Sequence, residues 1–120
     1  MCVNNMALDN HKVVAEISII PLGKNYSADA MHTSISREIA FAFKAIKKLK
    51  EVKVNLNAMG TEIEANNIQD ILKSVEVAHQ AIKDLGTKRI ISTIRIDERL
   101  DKVETLEDRV NSVNEKITNS

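Results

Sequence analysis

Two segments of this chain alternate apolar and polar side chains, which is the pattern of a strand with one buried face. The first runs from Val13 to Gly23 and the second from Asn55 to Glu64. In both, Glu, Ser or Asn recurs on the side opposite the apolar residues. The pattern predicts a sheet with one apolar face and one face that carries acids and amides. We interpret the polar face as a platform for recognition of a ligand or a subunit.

Between these strands and after them, apolar residues recur at the three- and four-residue spacing of amphipathic helices. Capping residues and glycines give the expected boundaries. The predicted elements are, in order, a strand at 13–21, a helix that starts after Thr33 or Ser34, strands at 52–58 and 61–65, a helix that starts after Asn66 or Asn67 and is capped by Gly86, a strand at 88–97, and a helix that starts after Thr105.

This order is the split βαβ pattern. It predicts an α+β fold, with a ferredoxin-like βαββαβ antiparallel sheet and an additional C-terminal helix. The two crossover helices are expected on one face of the sheet, because right-handed connections leave few other arrangements. Residues 1–12 are expected to form a flexible N-terminal tail, and residues 13–120 a single domain.

Alternation also predicts which side chains of the strands point away from the helices. The outward set on the sheet is Val14, Glu16, Ser18, Ile20, Lys53, Asn55, Asn57, Met59, Ile91, Thr93, Arg95 and Asp97. Apolar side chains beside hydrogen-bonding groups predict a face that another subunit covers, with or without a ligand between the two. The outer face of the first helix is predicted to be solvated and to carry Arg37, Glu38, Lys44, Lys47, Lys48 and Lys50.

Charge and composition exclude several classes of partner. The 17 basic residues equal the 17 acidic ones, and only one Tyr and two Phe are present, so the sequence predicts no nucleic-acid and no membrane partner. Cys2 is the sole cysteine, which excludes an internal disulfide and fits the cytoplasm. No apolar run approaches the roughly 20 residues of a membrane span.

Four segments of the chain together resemble the thiamine-binding protein family, a family of small ferredoxin-like homo-oligomeric proteins. The resemblance extends from residue 13 to about residue 118. It implies a homo-oligomer, a tetramer built by packing sheet faces, that binds thiamine or its hydroxymethylpyrimidine half. The segments are Ala15–Gly23, Asn57–Glu64, Ala78–Ile82 with Gly86, and Ile94–Lys102.

The ligand suggested by this resemblance can be compared with the residues. An aminopyrimidine needs an acceptor for its amino group, donors for its ring nitrogens and a polarizable wall. The candidate ligand-binding residues are Glu16, Ser18, Asn57, Met59, Gly60, Thr61 and Glu64. Since no glycine-rich phosphate motif is present and the candidates include carboxylates, an unphosphorylated ligand is expected. We expect no metal, no cofactor and no catalytic residues.

Several of these residues have a second interpretation. Glu16 is either a ligand acid or half of an intersubunit ion pair with Arg95 or Lys53. Met59 is more often filler than ligand wall, and His79 is expected to be a hydrogen-bonded boundary residue. Three function classes follow: a carrier, buffer or sensor of thiamine; an enzyme in which Glu16 and Glu64 exchange protons; and an oligomeric regulatory or structural module without a ligand.

Overall fold

The computed structural model describes residues 11–23 and 33–119, and the order of elements there matches the predicted order. The strands form one antiparallel sheet in the order β2-β3-β1-β4, so the α+β ferredoxin-like fold with an additional C-terminal helix is confirmed. The elements are β1 (Val13–Leu22), α1 (Ser36–Lys47), β2 (Lys53–Leu56), β3 (Thr61–Ala65), α2 (Ile68–Lys83), β4 (Arg89–Glu98) and α3 (Leu106–Thr118).

The core lies between the sheet and the helices α1 and α2. Alternate residues of β1 are buried on this side, as the sequence predicts. From the helices, Ala42 and Ile46 of α1 and Ile71, Ala78 and Ile82 of α2 complete the core. The β4 residues Ile94 and Ile96 were expected there too, but each stays 37% exposed, because β4 is an edge strand. The β1 residues in the core cluster on this side are Val13, Ala15, Ile17 and Ile19.

Two residues are more buried than the sequence predicts. Val14 was expected on the open face but is only 5% exposed. Its cross-strand neighbours Glu64 and Asp97 both bind the start of α3, so the first turn of this helix covers it. Glu38 was expected in solvent and is 2% exposed. It stands one turn before the buried Ala42 of α1, so it lies on the buried face of that helix.

The helix boundaries follow local capping chemistry. α1 begins at Ser36, later than expected, and the Ser36 N–H donates to the hydroxyl of Ser34 (3.2 Å). Asn67 caps α2 by accepting from the Asp70 N–H (2.8 Å), as expected. At the end of α2, Gly86 has a φ of 87°, the left-handed conformation that the sequence predicts there.

α3 begins with the predicted capping box, and none of its residues is buried. The Asp108 N–H donates to the Thr105 hydroxyl, and the Thr105 N–H donates to the Asp108 carboxylate, both at 3.0 Å. Beyond this first turn, Val110, Val113 and Ile117 are 58 to 65% exposed. The apolar stripe of α3 is therefore not part of the core. No helix among the described residues combines the length and apolar character needed to cross a membrane.

Replacing Gly86 tests the left-handed end of α2. Gly86→Ala is expected to lower the free energy of unfolding by about 1 kcal/mol, because a Cβ disfavours positive φ. Gly86→Asn should cost less, since Asn tolerates this conformation. Urea denaturation of the three proteins measures the difference. An alanine variant as stable as the wild type would contradict the assignment.

Acidification tests the capping box. Hydrogen bonds from the Thr105 N–H and hydroxyl hold the pKa of Asp108 below its ordinary value of 3.8. A carboxyl with a lowered pKa stabilises the folded state above its ordinary pKa, and this contribution is lost as the pH falls through the lower, folded-state value. The start of α3 should therefore fray below about pH 3.8. NMR Cα shifts of residues 106–109 report this change.

The matched control for acidification is Asp108→Asn, which keeps an acceptor but does not titrate. Its Cα shifts at residues 106–109 should change less on acidification than those of the wild type. An equal response in both proteins would show that another carboxyl controls the start of α3.

Candidate ligand-binding site

A cavity of about 730 Å³ lies between α1, the second half of β1 and the β2–β3 turn. This volume falls within the range of roughly 300–1,000 Å³ that is typical of small-molecule sites. Its walls are mostly apolar, and its polar groups come from the strand and turn residues and from the start of α1. The described lining residues are Ile17, Ser18, Ile19, Ile20, Ser34, Ile35, Ser36, Ile39, Ala40, Ala42, Phe43, Lys44, Ile46 and the segment Leu56–Thr61.

The cavity exists because β3 is much shorter than β1. β3 pairs with β1 only from Val13 to Ile17, whereas β4 pairs with β1 through Leu22. Beyond Ile17, no described residue pairs with β1 on the β3 side, and the gap is bounded by α1 and the β2–β3 turn. Pro21 lies in this part of β1, where a strand has one partner and a missing N–H is tolerated.

The β2–β3 turn presses closely on β1. The Asn57 N–H donates to the Gly60 carbonyl (2.9 Å), which leaves Ala58 and Met59 at the tip. A Cβ at Gly60 would lie 3.1 Å from the Ile17 carbonyl oxygen and 3.3 Å from Cγ of Glu16. A glycine in a tight turn commonly supplies a backbone conformation that other residues resist. The structure gives a different reason, since Gly60 has no positive φ and its requirement is the close approach to β1.

Five of the seven predicted ligand-binding residues line this cavity. Thr61 is buried at 7% exposure, and Met59 at the tip of the turn is 86% exposed. Most of the lining comes from the helix side of the sheet, whereas the sequence placed the site on the open face. The five are Ser18, Asn57, Met59, Gly60 and Thr61.

Glu16 lies beside the cavity without lining it. Its side chain packs against Gly60, and its carboxylate lies 3.5 Å from the guanidinium of Arg95 on β4. The two side chains are 42% and 84% exposed, so the ion pair contributes little to stability. The interpretation of Glu16 as a partner of Arg95 therefore has a structural basis within one chain. The carboxylate also remains accessible at the rim.

Glu64 is not brought to the cavity. It lies three residues beyond Thr61 on β3, about 10 Å along the strand at the usual rise per residue. Its carboxylate accepts a hydrogen bond from the Leu106 N–H (2.9 Å) and is only 9% exposed. An acid at a helix N-terminus stabilises that helix. In this structure Glu64 attaches α3 to the sheet.

Several lining residues were not predicted from the sequence as part of a site, among them Phe43 and Lys44. Phe43 has the helical spacing of an ordinary core residue, and Lys44 was assigned to the solvated face of α1. The gap beside β1 gives both side chains a cavity to face. No sequence signal distinguishes them, because the gap depends on where β3 stops pairing with β1.

Both histidines in the described part of the chain form side-chain hydrogen bonds. His79 of α2 bonds through Nε2 to the Ser92 hydroxyl (2.8 Å), as a boundary residue should, and His11 bonds to Glu98 (2.8 Å). His32 lies outside the described residues. Within residues 11–23 and 33–119, no three His, Cys, Asp or Glu side chains are grouped to hold a metal ion.

Comparison with known proteins agrees with this architecture. Residues 15–114 match the model of the family described as thiamine-binding protein. A UPF0045 protein of Methanothermobacter thermautotrophicus is 38% identical over 105 residues, which cover 88% of this chain and 99% of the relative.

Solved structures show the same fold. A protein of Methanocaldococcus jannaschii is 39% identical and superposes with a TM-score of 0.73 over 87% of this chain and 97% of its own. A Thermotoga maritima protein, assigned provisionally to thiamine biosynthesis or salvage, is 18% identical with a TM-score of 0.65 over 85% of this chain and 98% of its own. At that identity it is evidence of fold alone. From the family match and the two closer relatives, this chain belongs to the thiamine-binding protein family.

Proposed function

We propose that this protein binds thiamine or its hydroxymethylpyrimidine half, for carriage, buffering or sensing, in the cavity between α1 and the β2–β3 turn. One observation carries the proposal. In a member of the thiamine-binding family, five residues that the chemistry of the ligand suggested converge on one cavity of suitable volume.

The cavity offers the groups that an aminopyrimidine needs. The amide oxygen of Asn57 is an acceptor for the amino group, and the hydroxyls of Ser18 and Thr61 are donors for the ring nitrogens. Phe43 supplies an aromatic wall, against which a flat ring stacks. Glu16 is proposed as an additional acceptor at the rim, because its side chain reaches Gly60.

The proposed role is binding without catalysis in the cytoplasm, with no cofactor. The sequence-based alternative of an acid–base pair requires Glu16 and Glu64 near one substrate. Glu64 is instead buried beneath the start of α3, where it accepts the Leu106 N–H. This placement supports a binding protein over an enzyme that uses that pair.

We also propose that the protein forms a homo-oligomer, and specifically the tetramer that the family resemblance implies. Two apolar surfaces support it: the outward Ile20 and Ile91 of the sheet, 45% and 40% exposed, and the stripe of α3. Burial of such side chains contributes about 25 cal/mol per Å² of apolar surface. The same surfaces favour a second candidate function, an oligomeric regulatory or structural module that needs no ligand.

Removing one hydroxyl tests the ligand site. Thr61→Val keeps the size of the side chain and should weaken thiamine binding by about 1 kcal/mol, the net value of a hydrogen bond. Isothermal titration with thiamine and with hydroxymethylpyrimidine measures it. The control is Thr93→Val on the exposed side of β4, outside the lining. Equal affinities of the two variants would remove Thr61 from the site, and no heat in the wild type would favour the module without a ligand.

A charge on α3 tests the assembly. Val113→Glu should shift sedimentation toward a smaller species, because it places a carboxylate in the apolar stripe. Asn114→Glu is the matched control, since Asn114 is an exposed polar residue next along the helix. A wild-type protein that sediments as a monomer at micromolar concentration would contradict the proposed oligomer.

A further inference from the structure

Charge is distributed unevenly around the cavity. Among its described lining residues, Lys44 of α1 is the one charged side chain, and no carboxylate is present. The ammonium of Lys44 forms no ion pair with any described residue. The described lining therefore combines apolar walls with neutral polar groups and one unneutralised positive charge.

The carboxylates that the sequence suggested near the ligand lie elsewhere. Glu64 binds the start of α3, and Glu16 lies at the rim, outside the lining, with its carboxylate 3.5 Å from the guanidinium of Arg95. The expected repulsion between these acids and a phosphate therefore does not operate within the lining. A cationic thiazolium ring, by contrast, meets no negative side chain among the described lining residues and is repelled by Lys44.

We propose that Lys44 makes the cavity selective for an aromatic ligand that carries a phosphate ester, such as the phosphate of hydroxymethylpyrimidine or thiamine monophosphate, over the unphosphorylated compound. This inference rests on the proposed function and names the ligand class of the same site. An ammonium on a flexible four-carbon stem is a common point-charge partner of phosphate. Its stem lies along apolar walls while its charged end reaches the ligand.

The neutral polar groups of the lining fit the same ligand. Ser34 and Ser36 line the cavity, and their hydroxyls are hydrogen-bonded to each other (3.0 Å), so at most one of the two donates to an ester oxygen. Lys44 is an exposed residue, so its ammonium attracts a phosphate through a solvent-screened interaction that depends on the salt concentration. The ring and the ester are recognised by different parts of the lining: Phe43 and the turn for the ring, Lys44 and the serines for the ester.

Paired titrations test the selectivity. Hydroxymethylpyrimidine is compared with its phosphate, and thiamine with thiamine monophosphate, at low and high salt. The wild type should bind each phosphate on the order of tenfold more tightly than its parent, as expected for a charge-assisted contact. Added salt should reduce this ratio, because screening weakens the attraction.

Variants of α1 separate Lys44 from general surface charge. Lys44→Gln should bring the ratio of affinities close to one by weakening the binding of the two phosphates. Lys48→Gln, just past the end of α1 and outside the lining, should keep the wild-type ratio. Thermal unfolding of both variants checks that the fold is intact.

The possible outcomes are distinguishable. Thiamine or hydroxymethylpyrimidine binding as tightly as its phosphate would overturn the inference and leave the proposed function standing. The same is true if Lys44→Gln and Lys48→Gln reduce the ratio equally. If none of the four compounds binds, the proposed function fails and the inference fails with it.

Discussion

The unequal pairing of β1 with its two neighbours shapes most of this molecule. β1 is hydrogen-bonded to β4 along ten residues but to β3 along only five, from Val13 to Ile17. The first half of β1 is thereby a central strand with a fully buried inner face. The second half pairs with β4 alone among the described residues, and the space where a longer β3 would lie becomes a cavity lined by α1. One half of the strand thus packs in the core, and the other half borders the cavity.

The polar face of the sheet is divided in a similar way. At one end, Glu64 and Asp97 bind the start of α3, and the first turn of this helix covers Val14. At the other end, Ile20 and Ile91 stay half exposed. Two of the polar residues of this face therefore have a structural role, since they attach α3 to the sheet. Because α3 is attached only through its first turn, its apolar stripe is left for another surface.

Electrostatics around the cavity depends on these attachments. An acid that binds a helix N-terminus or a neighbouring guanidinium is engaged there and is a weaker partner for a ligand. Glu64 is engaged by α3, and Glu16 by Arg95 at the rim. The described lining then contains Lys44 as its charged group, which is the reverse of the acidic site that the residue types suggested.

Local patterns in the sequence determined the order and type of the elements, the inner face of β1, the Asn67 cap, the left-handed Gly86 and the capping box at Thr105. Each depends on residues within a few positions of one another, so the chain sequence is sufficient to predict it. Five of the seven candidate site residues line one cavity, because strand and turn neighbours in sequence are neighbours in space.

Tertiary structure alone decided where β3 stops pairing, and hence that a cavity exists and that Phe43 and Lys44 face it. It also decided that Glu64 serves α3, a contact between residues 42 positions apart. Alternation assigns a side chain to a face of the sheet, but it cannot tell which distant segment covers that face. Such contacts depend on the packing of the whole chain, and periodicity within one element carries no information about them.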